Sequence, residues 1–189
     1  MSLDIKRIPI QPNSSDFEEI WDIYINSFPE EERRHRDAQE NLIKEIPYYH
    51  CEGLFDSKKI IGLFFWWDFP MTRFIEHFAT HTEYRNKGIG KVVMNDFMPE
   101  KDTPIILEVE LPEDELQQRR IKFYQRLGFH INAIEYLQAP YRVGEPFSSL
   151  LLASYPTPLT PSLSSYFASD CLPIIYLEHY HSIRQRNRE

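Results

Sequence analysis

Cysteine is scarce: the 189-residue chain has two, Cys51 and Cys171, far apart and with no partner at metal-ligand spacing. That excludes a disulfide framework and fits reduced thiols in the cytoplasm. Long apolar runs are missing too. The longest, near residues 60–69 and 149–153, fall short of a membrane span. The opening Met1-Ser2-Leu3-Asp4 lacks a charged segment followed by an apolar one, so no signal peptide is expected. Positive charge is in deficit, with 21 Lys and Arg against 29 Asp and Glu and a net charge of −8. A nucleic-acid binder usually carries a basic face, so neither nucleic acid nor membrane is expected as a partner. There is no internal repeat and no low-complexity segment.

What is present suffices for a core. Apolar residues make up 42% and aromatics 14% of the chain, enough for one domain or one domain with an appendage. Residues 3–10 alternate as a first strand. Phe17, Ile20, Trp21, Tyr24, Ile25 and Phe28 recur at helical spacing behind Asn13, Ser14, Ser15 and Asp16, which predicts a helix over 15–27. Pro29 ends it. Residues 30–44 are strongly charged and predict an exposed second helix, its charges a solvated face or a substrate-contacting one. Strands follow at 48–55 and 59–69, joined by Asp56-Ser57-Lys58, and a third antiparallel strand at 73–81. Phe64-Phe65-Trp66-Trp67 is apolar on both faces, as a central strand would be. A helix to about residue 98, a strand over 103–111, a helix over 114–127 stopped by Gly128, and strands over 131–138 and 146–155 complete the pattern. The expected class is α/β with a mixed, mostly antiparallel sheet of about seven strands flanked by helices. Residues 156–189 are set apart by a proline-punctuated linker and two helical stretches, 162–169 and 173–186. The second has Ile174, Ile175, Leu177, Tyr180 and Ile183 on its apolar side. The expected division is therefore 1–155 and a C-terminal helical extension, 156–189, packed on the domain or on a second subunit as in a homodimer.

The stretch Glu76 to Lys91 organises the rest. An apolar-alternating strand ends in Arg85-Asn86-Lys87-Gly88-Ile89-Gly90-Lys91, and a helical pattern begins at once. Strand, glycine turn and helix leave free N–H groups at a helix N-terminus, a site suited to phosphate or pyrophosphate. Gly88 and Gly90 let the backbone approach an anion, and Arg85, Lys87 and Lys91 add positive charge. A dinucleotide fingerprint would need glycine where Val93 stands. A P-loop would need glycine at Arg85 and Ser or Thr at Val92. Both are excluded, and Arg-x-x-Gly-x-Gly remains.

That turn resembles the acyl-CoA pyrophosphate loop of the GCN5-related N-acetyltransferases. Glu76-His77-Phe78-Ala79-Thr80 resembles the family's fourth strand, and Ile121-Lys122-Phe123-Tyr124-Gln125-Arg126-Leu127-Gly128-Phe129 its helix-to-strand signature. The resemblance covers residues 3–155. It implies the acyl-CoA N-acyltransferase fold and transfer of acetyl from acetyl-CoA, as co-substrate and without a metal, to an amine of a small molecule or protein. A non-catalytic acyl-CoA-binding or regulatory module of the same fold is the alternative.

The resemblance places Phe78, Ala79 and Thr80 along the cofactor arm, the Phe78 N–H on the acetyl carbonyl and the Thr80 backbone on pantetheine. It places Arg85, Asn86, Lys87, Gly88, Ile89, Gly90 and Lys91 on the pyrophosphate. Where the family has Asn and Ala before its tyrosine, this chain has Gln117, whose amide could serve, and Arg120. Tyr124 stands at the proton donor to departing thiolate; otherwise it is a core tyrosine with a bonded hydroxyl. Glu76 is the general-base candidate. Strand alternation would put Phe74, Glu76, Phe78 and Thr80 on one face, with a carboxyl pKa raised among aromatics. Otherwise Glu76 pairs with Arg73 or another cation. Glu108 and Glu110 are the reserve bases. His77 and His81, about 13 Å apart on a strand, cannot share a metal. Acceptor recognition is expected from residues 28–34 and 136–143, and the acidic balance favours a basic amine or polyamine.

Overall fold

The computed structural model describes residues 4–180. One seven-stranded sheet carries everything else, in the order β1-β2-β3-β4-β5-β7-β6. The strands are β1 (Ile5–Pro9), β2 (Tyr49–Asp56), β3 (Lys59–Phe69), β4 (Thr72–Thr80), β5 (Ile105–Glu110), β6 (His130–Gln138) and β7 (Ser148–Tyr155). Every neighbouring pair is antiparallel except β4 and β5. The helices are α1 (Ser15–Ser27), α2 (Arg36–Glu45), α3 (Ile89–Phe97), α4 (Glu115–Arg126), α5 (Pro161–Tyr166) and α6 (Leu172–Ile175). α3 is the crossover that a parallel β4–β5 pair requires.

Local chemistry sets most boundaries. The Ser14 hydroxyl accepts the Phe17 N–H at 3.1 Å and starts α1, which buries Phe17, Ile20, Ile23 and Tyr24. A two-residue turn with Ser57 at φ 59° closes the β2–β3 hairpin. Asp114 and Gln117 form a capping box at the head of α4, and Gly128 at φ 92° follows its end.

The sheet separates two cores. One face packs α1, α2 and the C-terminal segment on Leu63, Phe65, Trp67 and Phe74; the other packs α3 and α4 on Phe64, Trp66, Ile75 and Leu107. β3 is apolar on both sides because it lies between β2 and β4 with a core on each face.

Two expectations change. The charged stretch after Pro29 is a single 3-10 turn, Glu30–Glu32, and then α2, with extended backbone at Arg33 and His35 between them. Arg34 is only 6% exposed there, so a tertiary contact overrides the helical pattern. In the tail, α5 passes through a π-helical turn, Phe167–Cys171, into the short α6, which ends at Tyr176. A continuous helix over 173–186 does not form, and its part from 181 on, with His181 and Ile183, lies outside the described residues. Leu163, Phe167, Cys171, Leu172, Ile175 and Tyr176 belong to the same core as α1. Among the described residues, no helix is long and apolar enough to cross a membrane.

Candidate active site

β4 and β5 start together and then part. Their register covers only Arg73 with Ile105, Phe74 with Ile106 and Ile75 with Leu107. At the next residue β4 bulges: Trp66 of β3 lies opposite Ile75 and Phe65 opposite His77, so Glu76 is the extra residue. β5 meanwhile stays on β7 through Glu110. The divergence opens a cleft of about 760 Å³, lined among others by Phe78, Ala79, Thr80, Arg85, Asn86, Glu76, Glu108 and Tyr124.

The bulge also corrects the expected alternation. Phe74 packs with the α1 core while Phe78 packs with the α3–α4 core against Phe64, so the two do not share a face. Glu76 turns toward the α1 side, where Arg34 and Tyr141 reach it. The β4 backbone after the bulge can be oriented from its neighbours. The His81 N–H donates to Ile61 on β3 at 2.9 Å, and the Ala79 carbonyl lies 2.4 Å from where a Cβ on Gly62 would stand. Strand alternation therefore turns the Phe78 and Thr80 N–H and C=O groups away from β3, onto the open edge.

The glycine turn closes one end of the cleft. Asn86 at φ 61° and Gly88 at φ 78° reverse the chain, and α3 starts at Ile89 with no side-chain cap. Lys91 and Val92 donate to Gly88, which leaves the Ile89 and Gly90 N–H groups without helical acceptors. A Cβ on Gly90 would sit 3.0 Å from Phe123 Cζ, so glycine is what lets α4 and the head of α3 meet. With Arg85, Arg119, Arg120, Lys122 and Arg126 lining the same cleft, the donor set fits a pyrophosphate. Of the turn only Arg85 and Asn86 line the cleft itself; Gly88, Ile89, Gly90 and Lys91 do not, and Lys87 lies over the Tyr84 ring. At Gly88 nothing stands within 4 Å of an added Cβ, so the positive φ alone sets the cost of a side chain. Gly88→Ala is expected to cost about 1 kcal/mol, seen as a lower urea midpoint at unchanged slope.

Two carboxylates meet in the cleft with opposite properties. The Glu76 side chain is fully buried and bonded to Arg34 Nη2 at 2.5 Å and to the Tyr141 hydroxyl at 3.3 Å. Burial would raise its pKa, but the Arg34 guanidinium, helped by His77, brings it down to about 2. The expected raised pKa is thus reversed. Of the alternative expected, pairing with Arg73 or another cation, the second half is met by Arg34, while Arg73 is buried elsewhere, donating to the Phe97, Met98 and Lys101 carbonyls. Among the described residues no cation pairs with Glu108. Burial pushes it up to about 7 against hydrogen bonds from Tyr136, Tyr176 and Gln138.

Tyr124 is 9% exposed, and burial pushes its phenol up to about 12, with Arg120 opposing. Its hydroxyl has no hydrogen bond from the described residues, so the expectation of a bonded core tyrosine is not what is seen. Gln117 serves its own helix: its Oε1 accepts the Glu113 and Asp114 N–H groups at 2.8 and 2.9 Å. It does not line the cleft, which Arg120, paired to Glu110, does.

A family model described as an acetyltransferase (GNAT) domain matches residues 48–131. A protein from Bacteroides thetaiotaomicron assigned to the same family is 31% identical in sequence. Its structure superposes with a TM-score of 0.85 over 90% of this chain and 98% of that one. The chain belongs to the GNAT acetyltransferase family. Two further structures are Arabidopsis thaliana NAA60 in complex with acetyl-CoA and a GNAT acetyltransferase from Elizabethkingia anophelis with acetyl-CoA bound. Their TM-scores are 0.61 and 0.57 at 18% and 14% identity, over 80% of this chain and 97% of theirs. At that identity they show the shared fold. No curated protein matches the chain.

Several residues around the cleft carry no sequence signal for contacting the carboxylates, although residues 28–34 and 136–143 are expected near the acceptor. Arg34 sat in a charged run. Tyr136, Gln138 and Tyr176 sat on a late strand and in the tail, 28, 30 and 68 residues from Glu108. Only their convergence gives them that role, and Tyr176 lies outside both stretches. Arg142 completes the frame: its Nε donates to the Arg33 carbonyl at 3.1 Å and its guanidinium pairs with Glu30, tying the β6–β7 loop to the α1–α2 loop.

Proposed function

We propose that this chain is an acetyl-CoA-dependent N-acetyltransferase acting on a primary amine, with Glu108 as general base and Tyr124 as general acid. The carrying observation is the parting of β4 from β5, which sets a carboxyl near neutral pKa and an unbonded phenol in one cleft beside an anion cradle. The relatives support the cofactor, and NAA60, also solved with a bisubstrate analogue, supports an amine acceptor.

Acetyl-CoA would supply an activated acyl thioester. Phe78, Ala79, Thr80, Arg85, Asn86, Gly88, Ile89 and Gly90 would hold it, with Lys87 and Lys91 as outlying charge. Glu108 removes the proton that keeps an ammonium from attacking; a base near 7 does this best at neutral pH. The Phe78 N–H, free of β3, stabilises the charge gathering on the carbonyl oxygen. As the new N–C bond forms and the C–S bond breaks, Tyr124 gives its proton to sulfur. A phenol held at about 12 stays protonated until then. Glu76, ionised and clamped, holds the α1–α2 loop over the cleft rather than moving a proton.

The test is CoA release over amines, amino acids, polyamines and aminoglycosides. Release is expected with a primary amine, its rate rising through an acid limb near the Glu108 value. Tyr124→Phe should lower turnover by about 10²-fold while the acetyl-CoA Kd stays within about twofold. Tight acetyl-CoA binding with no release on any amine would overturn the reading in favour of a non-catalytic acyl-CoA-binding module.

A further inference from the structure

Glu108 is held from two elements beyond the family match at residues 48–131. From β6, the Tyr136 hydroxyl donates to Oε1 and Gln138 Nε2 donates to Oε2 at 2.6 Å. From the C-terminal segment, the Tyr176 hydroxyl lies 2.9 Å from both carboxyl oxygens and accepts from Gln138 Nε2 at 3.0 Å. Tyr176 is 1% exposed, with its ring 4.9 Å from that of Tyr141. The residue before it is pinned as well, because Arg34 Nη2 donates to the Ile175 carbonyl at 2.7 Å. One guanidinium therefore ties the tail to Glu76 on β4.

We infer that the C-terminal segment is part of the acetyl-transfer site, with Tyr176 a positioning residue that aims the Glu108 carboxylate and favours its ionised form. The inference rests on Glu108 being the base. A phenol O–H donated to a carboxylate stabilises the charged state, so Tyr176, Tyr136 and Gln138 all pull in that direction. Burial and the nearby Glu76 charge pull in the other. Glu76 itself is balanced by Arg34 and faced by His77 and Tyr141. From β7 the register partner is the apolar Leu152. Across the cleft α4 presents Tyr124 and Arg120, the latter paired with Glu110. Arg34 thus spends its charge on Glu76 and the tail, and Glu108 is left to neutral donors. Neutral donors keep a carboxyl able to take and release a proton near pH 7, where a paired cation would hold it ionised.

Tyr176→Phe removes the bond donated to Glu108 and the one accepted from Gln138, and leaves the ring. In the full chain, the Glu108 titration midpoint (13C-carboxyl NMR) and the acid limb of kcat/KM should both rise by about one pH unit. That is about a fivefold loss at pH 7, recovered by pH 9, with the acetyl-CoA Kd unchanged. A fluorotyrosine at 176, a stronger donor of nearly the same volume, should move both the other way, and it serves if the phenylalanine variant folds poorly. An unmoved midpoint, or a loss equal at every pH, would overturn the inference. Glu108→Gln is run in parallel. If it is active, the base assignment falls and this inference with it. If it is inactive while the Tyr176 variants leave the midpoint in place, only the role of Tyr176 falls.

Discussion

Glu108→Gln is expected to lower kcat/KM by about 10²–10⁴-fold, the usual contribution of a positioned general base. The acetyl-CoA Kd should hold within about twofold, since the glycine turn and the β4 edge do not touch Glu108. Residual turnover should lose the acid limb. Stability gives a second and independent readout. The folded carboxyl keeps its proton up to about 7, against an ordinary 4.5 in the unfolded chain. Folding is therefore favoured by this group below about pH 4.5, and that contribution is lost as pH rises through 7. Relative to the native protein, Glu108→Gln should be more stable at pH 8 than at pH 5, by denaturant midpoints. A variant that gains stability where it loses turnover is the signature of a carboxyl kept under strain for chemistry. Unchanged turnover would return the base role to Glu76 or Glu110.

Arg34→Met carries the largest expected loss of stability, about 3–5 kcal/mol, because it strands a buried carboxylate. Its partner Glu76 is 0% exposed at the side chain, and the guanidinium lies 4.6 Å from the Tyr141 ring centroid. Arg34→Met with Glu76→Gln should recover part of the loss, since no lone charge then remains. The pH dependence follows from the depressed Glu76 value of about 2 against an ordinary 4.5. A depressed carboxyl contributes stability that is present above pH 4.5 and lost as pH falls toward 2. Glu76→Gln should remove that part of the acid transition and keep an acid rate limb, moved somewhat lower because one charge that raises Glu108 is gone. Denaturant titrations from pH 3 to 8 check both statements. If Glu76→Gln abolishes the rate limb and leaves stability untouched, the clamp and base assignments of the two carboxylates are exchanged.

The strands, the helices of residues 15–127 apart from the charged 30–44 stretch, and the glycine turn were legible because their causes are local. Ser14 caps α1 across three residues, and Asp114 and Gln117 close a capping box over the same span. In the Arg85–Gly90 turn, the residues that need positive φ and a missing side chain are adjacent in the chain. Apolar alternation likewise marks β2 and β3 without knowledge of their partners. The sequence by itself thus determined the mixed sheet, the glycine turn at the head of α3, the helix that presents Tyr124 and the family.

Only the tertiary structure decided the surroundings of each carboxylate. A single bulge residue reverses every later side chain on a strand, so whether Glu76 shares a face with Phe78 depended on a register against β3 that no local pattern encodes. Its charge state depended on Arg34, 42 residues away, and that of Glu108 on donors from β6 and the tail. A buried group's proton affinity is set by whichever dipoles and charges surround it. Those neighbours are brought together by the packing of distant segments, and spacing along the chain does not reveal them.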